Sequence, residues 1–132
     1  MKYIEKLRNS GLRPTKQRLQ ICEVLFETER TFHFTINDLA KKIEKQLNNK
    51  ISLATVYNTV HAFEKKGYLK QISINSNQTY FDTNITDHHH FYNLKDGKLI
   101  DLENSDVGPI NIKRKIDGKK IKSIEVLVKL ED

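Results

Sequence analysis

Apolar residues recur at helical spacing four times along this chain before they begin to alternate. Residues 2–9 carry a short run that stops at Ser10-Gly11, where Gly11 suits a left-handed C-terminal position. A second helix is predicted from Thr15, whose hydroxyl can cap the first turn, with Leu19, Cys22, Leu25 and Phe26 as its buried stripe. A third follows Thr35: Ile36, Leu39, Ala40, Ile43 and Leu47 share one face, and the run ends at Asn48-Asn49. A fourth opens at Ser52 and closes at Gly67. Its spacing turns Leu53, Val56, Tyr57, Val60 and Phe63 inward, and Ala54, Thr55, Asn58, Thr59 and Ala62 outward.

The period then changes. Ile72 and Ile74 alternate with polar residues, Asn75-Ser76-Asn77 supplies turn chemistry, and Thr79-Tyr80-Phe81 returns as a second strand. Three helices followed by a hairpin is the order of a winged helix, in which the helix before the hairpin enters the major groove. Beyond residue 86 the pattern predicts strands at His88 to Leu94 and Lys98 to Leu102 around an Asp96-Gly97 turn, a helix over about 107–116, and a last strand over 121–130. The fold class expected is α+β: an N-terminal winged helix-turn-helix over residues 1–84, then a small α+β dimerisation and sensing domain over 85–132. A domain this small is marginal alone, so pairing its strand edge with a second copy is expected.

Charge sharpens the picture. Residues 1–70 hold 14 Lys and Arg against 7 Asp and Glu; residues 71–132 hold 9 against 10. A basic half beside a near-neutral half points to a polyanion as partner of the first half, and double-stranded DNA is the candidate. The outward face of the fourth helix is small, hydrogen-bonding and nearly uncharged, so it can approach base edges. There Asn58 can pair with adenine and a Thr methyl can meet a thymine methyl, while Lys65 and Lys66 suit phosphate. Arg13, Lys16 and Arg18 add three charges around Thr15 at the start of the second helix, placed for phosphate or the minor groove.

Metal or haem chemistry is suggested by the histidines. His33 precedes the third helix and His88, His89 and His90 are consecutive, whereas His61 falls inside the fourth helix as a DNA-facing or surface residue. On a strand His88 and His90 share one side and His89 faces the other. Asp82, Asp87 and Asp101 can complete a mixed nitrogen and oxygen set suited to zinc, iron or manganese. The lone Cys22 excludes an intramolecular disulfide and a Cys-x-x-Cys clip, and its spacing makes it a core residue. No apolar run approaches the roughly 18 residues of a membrane span and the first residues lack a signal-peptide pattern, so a cytoplasmic protein is expected.

Four segments, in order and spacing, resemble the ferric uptake regulator family: Gly11-Leu12-Arg13-Pro14-Thr15 with Arg18, Ser52 to Val60, Thr79-Tyr80-Phe81-Asp82, and Asp87-His88-His89-His90. The run from Tyr80 into His90 is similar to the iron response regulator branch, which senses iron status through haem. The resemblance implies a homodimeric repressor at AT-rich inverted repeats, with Tyr57 touching thymine methyls, Asn58 reading bases, Arg13 near the minor groove, and Ser52 and Thr55 on phosphates. It also implies an inter-domain metal site at His33, Asp82, His90 and Asp101, and haem at His88, His89 and His90. The chain departs from the family in three places. Asn93 and Asp96 stand where the first structural-zinc cysteines would fall, no histidine follows His90, and Glu23 rather than proline follows Cys22.

The function expected is an iron-responsive regulator in which bound divalent metal or haem sets the orientation of two recognition helices. Two alternatives stand beside it. One is a zinc- or manganese-responsive regulator of the same family. The other is a small metalloenzyme, which lacks a general base at defined spacing and, in so short a chain, a cleft for a small-molecule substrate.

Overall fold

The computed structural model describes residues 2–132 and divides into two compact units, Met1–Ile85 and Thr86–Asp132. In the first unit α1 (Lys2–Asn9) buries Tyr3 and Leu7 and stops at Gly11, whose φ of 78° lets Gly11 and Leu12 donate back to Arg8 and Leu7. Helix α2 (Lys16–Phe26) begins at Thr15, whose hydroxyl accepts the Arg18 amide. Helix α3 (Ile36–Leu47) starts in a reciprocal capping box: Thr35 accepts from Asp38 and donates its own amide to the Asp38 carboxylate. It ends at Asn48 in the left-handed region, where asparagine is tolerated.

Helix α4 (Leu53–Lys66) is capped by Ser52 and closed by Gly67 at φ 88°, so that Gly67 and Tyr68 donate to Glu64 and Phe63. Its buried arc is Val56, Thr59, Val60 and Phe63, which corrects two expectations. Helical rotation puts Thr59 between Val56 and Phe63; its hydroxyl donates to the Thr55 carbonyl at 2.8 Å and is thereby satisfied inside the core. Leu53 and Tyr57, expected inside, are each 52% exposed. Leu53 sits in the first turn, lining a surface hollow with Ala40 and Ile51, and Tyr57 lies past the edge of the arc. One core joins the four helices through Leu7, Ile21, Cys22, Leu25, Leu39, Ile43, Val56, Val60 and Phe63.

Strands β1 (His33–Phe34), β2 (Lys70–Asn75) and β3 (Gln78–Asp82) form an antiparallel sheet in the order β1-β3-β2. The Asn75 side chain accepts the Asn77 amide at 2.8 Å and shapes the hairpin tip. Helices α2 to α4 with this sheet make a winged helix-turn-helix.

The second unit is a three-stranded sheet in the order β5-β4-β6, with β4 (His89–Asn93) antiparallel to β5 (Leu99–Leu102) and parallel to β6 (Leu127–Leu130). Gly97 at φ 70° makes the β4–β5 turn. The helix expected over 107–116 is absent: only a 3-10 turn at Asn104–Asp106 forms, and residues 107–116 have no regular structure. Pro109 lacks an amide, Gly108 resists ordering, and Ile110, Ile112 and Ile116 stay exposed, so no buried stripe supports a helix. The last strand is shorter than 121–130 because its ladder partner on β4 offers only His90 to Asn93.

Candidate DNA-reading helix and metal-ligand clusters

Ser52 fixes the start of α4 twice: its Oγ accepts the Thr55 amide at 3.2 Å and donates to Thr55 Oγ1 at 2.9 Å. Ala54, Tyr57 and Asn58 are exposed beyond that cap. Tyr57, Asn58, His61, Ala62, Lys65 and Lys66 line one wall of a groove of about 580 Å³, and Asn9 and Ser10 line another. At the start of α2, Arg13, Thr15 and Lys16 are exposed and Arg18 is half-buried, its guanidinium donating to the Arg13 carbonyl at 3.2 Å. The groove thus offers two rings and the Asn58 amide over its middle and is cationic at the Lys65-Lys66 end, a distribution that can meet a base edge and hold a phosphate.

Each unit also carries side chains of metal-ligand type. In the first unit, ladder register sets His33 opposite Asp82, with His33 Nε2 3.2 Å from Asp82 Oδ2. Asp82 is 1% exposed, and its Oδ1 accepts the Asn84 amide at 2.8 Å. A carboxylate so buried needs such partners.

In the second unit, β4 and the residue before it bury all three consecutive histidines, so they are no polar surface run. Strand alternation separates them as expected. The rings of His88 and His90 lie 4.5 Å apart, with their Nε2 atoms 3.4 and 3.3 Å from the same Asp101 oxygen. His88 Nδ1 lies 2.7 Å from the Thr86 carbonyl. A carbonyl only accepts, so Nδ1 is assigned the proton and the Nε2 lone pair of a neutral ring turns to Asp101. Lone pairs facing a carboxylate repel unless a cation joins them, either a second proton on the ring or a metal ion. A backbone carbonyl fixing the tautomer of a ligating histidine is the outer-shell arrangement that metal sites use. The donor set, imidazole nitrogen with carboxylate oxygen, therefore fits a borderline divalent ion.

His89 does something else. Its Nδ1 accepts the Val126 amide at 2.9 Å, tying the residue before β6 to β4. Asp87 is exposed, its carbonyl accepting from Asn104 at 3.1 Å. Spacing alone also missed the ring contacts of His61, half-buried against Tyr57 and Phe81, although Tyr57 and His61 are separated by one helical turn.

The fold and these clusters define an α+β protein of the winged-helix class whose second, smaller unit is built around buried histidines. The model of the ferric uptake regulator family matches residues 9–129, and the chain belongs to that family. It is 34% identical over 99 residues to the peroxide operon regulator of Bacillus subtilis, a match covering 75% of this chain and 66% of that protein, just under two thirds of its length. The solved ferric uptake regulator of Vibrio cholerae superposes with a TM-score of 0.71 at 21% identity, covering 98% of this chain and 99% of that one. That of Pseudomonas aeruginosa, described with manganese, gives 0.69 at 21% identity, covering 97% and 96%. Among the described residues no helix is long and apolar enough to cross a membrane.

Proposed function

We propose that this chain is a metal-responsive transcription regulator, not an enzyme, that binds duplex DNA as a homodimer in the cytoplasm and represses from AT-rich inverted repeats. The observation carrying the reading is the pairing, in one chain, of a Ser52-capped helix exposing Tyr57 and Asn58 with buried histidines aimed at carboxylates. Tyr57 and Asn58 read bases; Ser52, Thr55, Arg13, Thr15, Lys16 and Arg18 hold phosphates or the minor groove.

His33 and Asp82 in the first unit, and His90 and Asp101 in the second, are the metal ligands in this reading, with His88 beside His90 and Asp101. Within each unit a bound ion would supply a positive charge between a histidine nitrogen and the carboxylate oxygen facing it. Iron, manganese or zinc suits such a set. A small ion suits it better than haem, because spaces of 3.3 and 3.4 Å between imidazole and carboxylate close around an ion and not around a macrocycle. His89, already holding the Val126 amide, is a structural member of the run. Homodimerisation is supported by Ile100, Ile112, Ile116 and Ile121, each at least 45% exposed in the single chain.

The test starts from protein stripped with a chelator. Titration with Mn²⁺, Zn²⁺ or anaerobic Fe²⁺ is followed by metal counting, by sedimentation, and by binding to duplexes selected from a random library. Metal should change affinity for the selected duplex roughly 5- to 150-fold, the range of a coupling of about 1–3 kcal/mol. A protein that binds no metal, or selects no sequence, sinks the reading.

A further inference from the structure

The exposed ring of Tyr57 is held from within. Its centroid lies 4.1 Å from that of His61, one turn on along α4, with the planes tilted by 42°. The His61 ring in turn meets Phe81 edge-on, at 5.3 Å and 85°. Phe81 cannot yield, since it is 1% exposed, stacks on Phe34 at 5.8 Å, and pairs with Phe34 in the β1–β3 ladder. The three rings thus run from the wing sheet to the groove in which Tyr57, Asn58 and His61 stand together.

A half-exposed tyrosine on a helix ordinarily samples several rotamers, and fixing one of them on binding costs free energy. A ring already stacked on an immobile neighbour loses less. Tyr57 would otherwise contribute apolar contact area at the price of that ordering.

We propose that His61 is a positioning residue for base reading: wedged against Phe81, it presets the Tyr57 ring at the mouth of the groove and so raises selectivity for sequence over bulk affinity for DNA. The proposal rests on the reading of α4 as the DNA-reading helix, and it assigns His61 a stacking role that needs its flat ring and not its charge.

The experiment measures the ratio of dissociation constants for a scrambled duplex and for the duplex that the wild type selects from a random library. Wild type, Tyr57→Ala, His61→Ala, His61→Phe and the double variant Tyr57→Ala/His61→Ala are compared, with thermal melting as the control for folding. His61→Ala should lower the ratio roughly 3- to 10-fold, the scale of one lost ring contact. His61→Phe should restore it, and in the double variant the loss should equal that of Tyr57→Ala alone, because both changes remove one contact. An unchanged ratio in His61→Ala beside a collapsed one in Tyr57→Ala overturns the positioning role and leaves the DNA-reading helix standing. Failure of His61→Phe to rescue also overturns it, since His61 then acts through its own nitrogens. If Tyr57→Ala keeps the wild-type ratio, the assignment of α4 fails and the proposal with it.

Discussion

His33 and Asp82 are register partners across β1 and β3, with Nε2 of one 3.2 Å from Oδ2 of the other. Backbone pairing therefore aligns an imidazole and a buried carboxylate before any ion is bound, while the Asn84 amide occupies the other carboxylate oxygen. Replacing Asp82 by Asn keeps the shape and the amide contact but removes the anionic oxygen. Affinity for Mn²⁺ or Zn²⁺ should fall by at least roughly tenfold, since even outer-shell losses cost about 10- to 100-fold. Competition titration against a chelating dye checks this; unaltered affinity would remove Asp82 from the ligand set.

The two ends of the groove should fail in different ways. Asn58→Ala should cost about 1–3 kcal/mol on a selected duplex and little on a scrambled one, because it removes hydrogen bonds to a base edge. Lys65→Ala should weaken both duplexes alike and reduce the salt slope of binding by about one. Binding isotherms at several salt concentrations separate the two effects. A salt-slope change from Asn58→Ala with no loss of discrimination would contradict its role as a reader.

Neighbouring histidines should behave as opposites. His89 is buried and accepts the Val126 amide at 2.9 Å, so His89→Ala leaves that amide unpaired and should destabilise the fold by about 1–3 kcal/mol in urea unfolding. Metal content should be retained in the folded protein. His90→Ala should do the reverse, losing metal at small cost to the metal-free fold. A folded His89→Ala protein stripped of metal would show that strand alternation does not divide their roles.

Much of this was legible because capping chemistry is local. Thr15, Thr35, Ser52 and Gly67 each mark a helix end that the structure places within a residue of the expected position. The hairpins are legible for the same reason: the Asn75 and Asp96 side chains accept the Asn77 and Lys98 amides, and Gly97, lacking a Cβ, takes the positive φ of its turn. What depended on packing was read less well. Tyr57 is apolar enough to count as core, yet the arc through Thr59 wins because a threonine hydroxyl can be satisfied within its own helix. The helix expected at 107–116 does not form, since Ile110, Ile112 and Ile116 stay exposed there. Ligand residue types were visible in His33, Asp82, His88, His90 and Asp101, but not the shared Asp101 oxygen or the Thr86 carbonyl that orients His88.

Cys22 gives the chain a pH response of known sign. Burial is the main cause pushing its thiol up to about 12; nearby Glu23 acts in the same direction and Lys6 opposes it. In the unfolded chain the thiol titrates near its ordinary value, so below that value both states hold the proton and pH changes nothing. Above it the unfolded state loses the proton while the folded state keeps it, and stability falls as pH rises towards 12. Burial raises Tyr3 to about 12 as well, so a second, smaller decline begins above the ordinary range of a tyrosine. Urea unfolding at pH 8 and pH 10 should thus show a larger loss for the wild type than for Cys22→Ala, in which only the Tyr3 contribution remains. At pH 8 a thiol reagent should react only as fast as the protein unfolds, because the side chain is 0% exposed and protonated. Immediate modification of the native protein, or equal pH losses in the two proteins, would mean that Cys22 lies outside the sealed core.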